Sequence, residues 1–200
     1  NAVGTIGYVN AAIELKEQVD NGEIPEPAVV FCPLGSGGTL AGLSLGFALA
    51  GLQTRAVGVR VSQSHLGPFQ ACTESTVAKL MNKTYGYLKK RNRRLPDLTV
   101  KKPSIVENYF GGAYGVPTLA GNKVCRLVKK KEGIALDPTY TAKTFAAVFD
   151  YCREQGRDPG PVLYWHTYNS VDLAAQAESV NYRNLPKALQ VFIKEVSDVS

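Results

Sequence analysis

Apolar and polar residues change their period several times along the chain, and each change marks an element. Over residues 5–20, Ile6, Val9, Ala12, Ile13 and Leu15 recur at helical spacing opposite Glu14, Lys16, Glu17 and Gln18, which predicts an amphipathic helix. Asn21-Gly22 supplies its stop. The apolar run Ala28-Val29-Val30-Phe31-Cys32 reads as a strand, and the Ala/Leu/Gly-rich stretch from Gly38 to about Gly51 as a second helix. Thr54–Val61 alternates and is rich in β-branched residues, so it reads as a second strand. Strand, helix and strand in this order predict a right-handed βαβ unit with parallel strands.

Farther along, residues 66–90 read as helical and Asn92–Lys102 as a basic, proline-containing loop. Val116–Lys131 reads as a helix with Pro117 in its first turn, where a missing N–H costs little. Ile134-Ala135-Leu136 is a very short apolar element ahead of Asp137-Pro138; Thr141–Glu154 is a helix, and Pro161–Trp165 a last, buried strand. Helical segments around Val171–Glu178 and Pro186–Val196 finish the chain. The alternation defines the α/β class, a parallel twisted sheet with helices on both faces. Ligands are then expected at the carboxyl ends of the strands.

Composition narrows the class. Two hundred residues, 44% of them apolar, suit one domain with a real core. No stretch approaches the roughly 20 apolar residues that span a bilayer, and there is no basic-then-apolar leader, so no membrane partner is expected. The first residue is Asn1 rather than Met, which leads us to expect a longer parent sequence. Cys32, Cys72, Cys125 and Cys152 stand far apart with no CxxC pair. That spacing argues against a metal site or a disulfide framework and for a reducing, cytoplasmic setting. The net charge of +6 is concentrated in Lys89-Lys90-Arg91-Asn92-Arg93-Arg94 and Lys129-Lys130-Lys131. Both runs close helices, where cations are favoured, and no nucleic-acid-reading module accompanies them. They read as solvated faces.

The chemistry concentrates after the first strand, in Pro33-Leu34-Gly35-Ser36-Gly37-Gly38-Thr39. Glycines open turn conformations and let a ligand approach the main chain. Unpaired amides at a helix start, with the helix dipole, make an anion site, and Ser36 and Thr39 add hydroxyls. The spacing is neither the ATP-type P-loop nor GxGxxG. A phosphate is the expected anion; the same pattern also serves as a ligand-free strand-to-helix turn. Tyr114, between glycines in Asn108-Tyr109-Phe110-Gly111-Gly112-Ala113-Tyr114-Gly115, is pinned on a loop. Tyr140 follows Asp137-Pro138 at a helix start, where anionic forms are stabilised. Either phenol can move a proton if its neighbours lower its pKa, or it can simply cover a loop. His166, one of two histidines, has no partner at metal-ligand spacing and reads as structural.

GSGGTLAGL, NYFGGAYGVPT, LDPTYTAKT and YWHT, in this order, resemble the pyridoxal-phosphate enzymes of the tryptophan synthase β fold. Within these they are similar to D-cysteine desulfhydrase and 1-aminocyclopropane-1-carboxylate (ACC) deaminase. The resemblance covers about residues 1–175. It implies that Gly35, Ser36, Gly37, Gly38 and Thr39 hold the phosphate of pyridoxal 5′-phosphate and that Tyr114 and Tyr140 face a small amino-acid substrate. Thr167 would then hydrogen-bond the pyridine nitrogen. A neutral hydroxyl there makes the ring a weaker electron sink, which suits β-elimination. ACC deaminases carry Glu after the second tyrosine; Thr141 stands here and favours D-cysteine elimination to pyruvate, ammonia and sulfide. Tyr168-Asn169 departs from the two glycines the family places after His-Thr.

The resemblance further implies a homodimer, and a large cofactor-binding domain over residues 1–180 that includes the end of the small domain at its N-terminus. Residues 181–200 would form a helical tail. The family's Schiff-base lysine and its Ser/Asn/Gln-rich loop for the substrate carboxylate lie upstream of the segment matched by Asn1. The expectation is therefore the C-terminal two-thirds of an enzyme, without turnover on its own. A truncated homologue that binds only a phosphate ligand is the alternative. Lys143, the lysine inside a matched motif, is expected at the surface.

Overall fold

A computed structural model describes residues 1–100, 102–156, 159–169, 171, 173–178, 180–187 and 190. It divides into two compact units, Asn1–Tyr168 and Asn169–Ser200. In chain order the first unit contains α1 (Ala2–Asp20), β1 (Val29–Leu34), α2 (Gly38–Ala50), β2 (Arg55–Arg60), β3 (His65–Leu66), β4 (Phe69–Gln70), α3 (Glu74–Arg91), β5 (Ser104–Val106), α4 (Leu119–Glu132), α5 (Thr141–Gln155) and β6 (Val162–Tyr164). The second has α6 (Ala174–Glu178) and a 3-10 turn over Tyr182–Asn184. The helix expected over Pro186–Val196 falls largely outside the described residues.

β5, β2, β1 and β6 form a parallel sheet in that order. Every residue of β1 is buried, the signature of a strand covered on both faces. Its side chains divide with period two. Val30, Cys32 and Leu34 join the core against α1, α2 and α3, whereas Val29 and Phe31 join Val57, Val59, Ala147 and Val148 under α5. α4 lies on α5 through Val124, Val128 and Ala146. The βαβ unit expected from the sequence is present as β1–α2–β2, six residues in register from Val29↔Arg55 to Leu34↔Arg60. Pairing of β1 with β6 ends at Phe31↔Tyr164, so Pro33 sits beyond the end of β6, where a missing N–H breaks no ladder.

α1 and α2 pack backbone to backbone because glycine stands at two successive turns of α2. A Cβ on Gly42 would lie 2.4 Å from Tyr8 Cβ, and one on Gly46 2.4 Å from Ala12 Cβ. The buried stripe of α1 is Thr5, Val9, Ala12 and Leu15. Ile13 is 41% exposed, which corrects its assignment to the apolar face. The helix expected over residues 66–90 starts only at Glu74; before it, β3 and β4 pair as an antiparallel hairpin around Gly67-Pro68. α4 starts at Leu119 with Thr118 as N-cap, so Pro117 precedes the helix. β6 is a half-buried edge strand rather than a buried one. Both lysine-rich runs do close helices, Lys89–Arg91 in the last turn of α3 and Lys129–Lys131 in that of α4. Among the described residues no helix is long and apolar enough to cross a membrane.

Candidate active site

At the carboxyl end of β1 the chain turns through Gly35-Ser36-Gly37 into α2. Gly37 caps the helix at φ 83°, a conformation open to glycine and strained for other residues. The first helical bond runs from Ala41 N to Gly37 O, 2.9 Å, leaving the amides before it free to meet a ligand. Two groups hold the turn from behind, since Ser62 Oγ donates to Gly35 O at 2.9 Å and Cys72 Sγ donates to the same oxygen. Cys72 adopts φ 55° to do so.

Tyr140 lies in front of this turn. A Cβ on Gly35 would come within 3.3 Å of Tyr140 Cε1, so glycine here is what lets the ring lie against the loop. The start of α5 is built by Asp137. Its carboxylate accepts the amides of Thr139 (3.0 Å), Tyr140 (2.7 Å) and Thr141 (3.0 Å), and Thr141 Oγ1 as well. Pro138, with φ fixed, spans the turn that Asp137 closes. Thr141 is thereby fully buried and bonded to Asp137, away from the cavity.

Gly35, Ser36 and Thr39 share a cavity of about 510 Å³ with Pro33, Asp137, Tyr140 and Thr167. Gly37 and Gly38 shape the turn without lining it. A neighbouring cavity of about 640 Å³ shares Gly35, Ser36 and Tyr140 and adds Ser62, Cys72 and Tyr114. The two tyrosines meet hydroxyl to hydroxyl, their rings edge to face with centroids 5.9 Å apart. Loop glycines 111, 112 and 115, all at positive φ, bring Tyr114 there. The hydrogen bond to Tyr114, then burial, then electrostatic interaction with Tyr114 and with the Asp137 carboxylate push the Tyr140 phenol up to about 12. The helix start favours an anion, but the neighbours of Tyr140 outweigh it, so the condition of a lowered pKa is not met at this phenol. At neutral pH Tyr140 is a proton-bearing phenol. Tyr109, from the same motif as Tyr114, turns to Asp150 at 2.8 Å instead.

The loop fits a phosphate. It offers helix-start amides, no acidic residue in the first turn of α2 and two hydroxyls, Ser36 and Thr39, without a hydrogen-bond partner among the described residues. The one carboxylate on the cavity wall, Asp137, is already occupied by the start of α5. The lysine expected at the surface is not there. Lys143 is fully buried, and its Nζ donates to Phe110 O at 2.7 Å. No lysine lines either cavity.

A strand-end glycine loop with free helix-start amides, faced by paired phenols, places this α/β protein among those built with an anion-sized site at the carboxyl end of a parallel sheet. The chain belongs to the family of pyridoxal-phosphate dependent enzymes, whose pattern it matches over residues 1–167. The crystal structure of an ACC deaminase homologue superposes with a TM-score of 0.69 at 28% identity, over 89% of this chain and 49% of that one. The threonine deaminase from T.th. gives 0.47 and 21% over 79% and 53%. The processed form of threonine deaminase isoform 2 from Solanum lycopersicum gives 0.48 and 13% over 85% and 48%. The chain thus spans about half the length of these structures. Its parallel α/β architecture is that of the tryptophan synthase β-like fold.

Proposed function

We propose that residues 1–200 are the phosphate-holding and proton-handling part of a pyridoxal-phosphate-dependent lyase that eliminates sulfide from D-cysteine, giving pyruvate and ammonia. The observation that carries this is the shared wall: Gly35, Ser36 and Tyr140 face both cavities, with Thr39 and Thr167 in one and Tyr114 in the other. Pyridoxal phosphate, when bound, supplies the electron sink that loosens bonds at the substrate's α-carbon. The α2 start, Ser36 and Thr39 would hold its phosphate, and the Thr167 hydroxyl, on the same cavity wall, would be the donor or acceptor for its ring nitrogen. Tyr140 Oη, protonated up to about pH 12, would give its proton to the departing sulfur; Tyr114 Oη, hydrogen-bonded to it, would pass its own proton to Tyr140 and take one from water, while the α-proton goes to a base on the lysine-bearing segment outside these residues. Thr141 supports D-cysteine over ACC. It is buried on Asp137 where a glutamate would be needed to reach the ring nitrogen.

The second reading, ACC deaminase, is favoured by the likeness to the ACC deaminase homologue. In both readings the lysine that anchors the cofactor comes from chain outside these residues, since neither cavity wall contains one, and the assembly is a homodimer. The test is incubation with pyridoxal phosphate, borohydride reduction and peptide mapping, beside sulfide release from D-cysteine and ketone formation from ACC. We expect no site-selective lysine adduct and no turnover by residues 1–200 alone. Sulfide should appear once the lysine-bearing segment is supplied. A dominant adduct on Lys143, or turnover by this polypeptide alone, would overturn the division of labour; turnover of ACC instead of D-cysteine would select the second reading.

A further inference from the structure

Among the described residues, Lys143 is the largest side chain fully sealed from solvent. No carboxylate lies within ion-pair distance of it among the described residues. Burial strips an ammonium of its hydration and holds the amine below its ordinary range, with the negative charge of Asp137, beyond ion-pair distance, offsetting part of that shift. Its hydrogen bond goes to one main-chain atom, the carbonyl oxygen of Phe110, 2.7 Å away. The Phe110 ring centroid lies 5.7 Å from Nζ.

The carbonyl it holds belongs to the residue at which the tyrosine loop departs. Gly111, Gly112 and Gly115 follow at φ 80°, 88° and 82°, so the backbone beyond Phe110 has many alternatives open to it. Tyr114 rides on that backbone, 57% exposed, with little side-chain packing to fix it. Apart from the Tyr114–Tyr140 contact itself, the Lys143 bond is the one side-chain hydrogen bond made to residues 110–117 among the described residues. Lys143 also stands three residues after Tyr140 in the first turn of α5. The same helix start therefore carries one tyrosine and grips the loop that carries the other.

We propose that Lys143 is a positioning residue whose buried ammonium clamps the Phe110 carbonyl and so sets the glycine loop where Tyr114 meets Tyr140. This rests on the reading of Tyr114 and Tyr140 as the proton-handling pair. The test places 3-fluorotyrosine at position 140 of the full chain and follows its ¹⁹F shift against pH, without cofactor or substrate. Tyr114→Phe, which removes the partner hydroxyl, defines the lowered midpoint of an unpartnered Tyr140. Lys143→Met should move the midpoint most of the way to that value, and Lys143→Met combined with Tyr114→Phe should move it no further. Lys143→Met can also fail to fold, so a second perturbation leaves the lysine in place: an ester bond in place of the Phe110–Gly111 amide weakens the carbonyl as an acceptor. It should shift the midpoint in the same direction by a smaller amount. A midpoint unchanged from the unsubstituted chain, in folded Lys143→Met or in the ester protein, would overturn the clamp and leave Lys143 a packing residue. A chain that failed to bind pyridoxal phosphate would count against the proposed function and not against the clamp, because this titration needs no cofactor.

Discussion

Two alanine substitutions of glycine, one at the crossing of α1 and α2 and one on the outer side of α1, should change stability in opposite directions. At Gly46 the added methyl would sit 2.4 Å from Ala12 Cβ and 2.8 Å from Val9 O. Ordinary carbon contacts lie at about 3.5–4.0 Å, and both obstacles belong to the α1 main chain or its first side-chain atom, so no rotamer change relieves the clash. The helices must separate by about 1 Å along that line. Overpacking of this kind costs about 3 kcal/mol at the upper end of its range, and the better helix propensity of alanine returns about 1 kcal/mol. The net is a loss of about 2 kcal/mol, or a fall in Tm of roughly 4–8 °C for a chain of this size. At Gly7 nothing lies within 4 Å of the added methyl, so the propensity gain of about 1 kcal/mol stands alone and Tm should rise by about 2–4 °C. Urea or thermal unfolding of the two variants beside the parent measures the difference directly. The substitution is chemically the same, so helix propensity cancels and only the crossing remains. If Gly46→Ala proved as stable as Gly7→Ala, the backbone contact that fixes α2, and with it the phosphate loop at its start, would be wrong.

Other predictions follow from the site. Asp137→Asn puts an NH₂ where Oδ2 now accepts from Thr141; loss of this cap should cost about 1–2 kcal/mol in denaturant unfolding. The Tyr140 phenol is raised in the fold to about 12 from its ordinary value of 10.0. The stability it contributes is therefore complete below pH 10 and lost as pH climbs through about 12, and Tyr114→Phe should flatten that stretch of the stability–pH curve. Burial pushes the Cys32 thiol up to about 12, whereas Cys125 and Cys152 are half-buried. Iodoacetamide on the native protein, mapped by mass, should mark those two well before Cys32.

Much of this site could be read from the residues because its pieces are local. The apolar run, the glycine turn and the Ala/Leu helix form one contiguous βαβ unit, and period and turn chemistry agree over its whole length. Asp137-Pro138 likewise fixes the start of α5 within five residues. What escaped depends on contacts far apart in sequence. β5 is three residues long and exists only because β2 pairs with it, and nothing in Ser104-Ile105-Val106 announces an edge strand. Gly67-Pro68 is a turn signal for the β3–β4 hairpin, but it stands directly before a stretch whose spacing is helical from Glu74 onward. Lys143 resembles a surface lysine until α5 is seen to be covered on two sides, by the sheet through Ala147 and Val148 and by α4 through Ala146. Its four-residue spacing to buried Ala147 was the available clue. The raised pKa of Tyr140 depends on Tyr114, 26 positions away, a pairing that spacing alone does not reveal.

The α2 start and its loop are proposed to hold the phosphate of pyridoxal phosphate. Comparing the binding of pyridoxal phosphate and pyridoxal by absorbance and fluorescence, in the full chain and in Gly38→Asp, tests it most directly. Removing the phosphate should weaken binding by at least about tenfold, the worth of roughly 1.4 kcal/mol. A carboxylate at Gly38 should abolish binding of the phosphorylated form. Equal binding of pyridoxal and pyridoxal phosphate, or undiminished binding by Gly38→Asp, would contradict it.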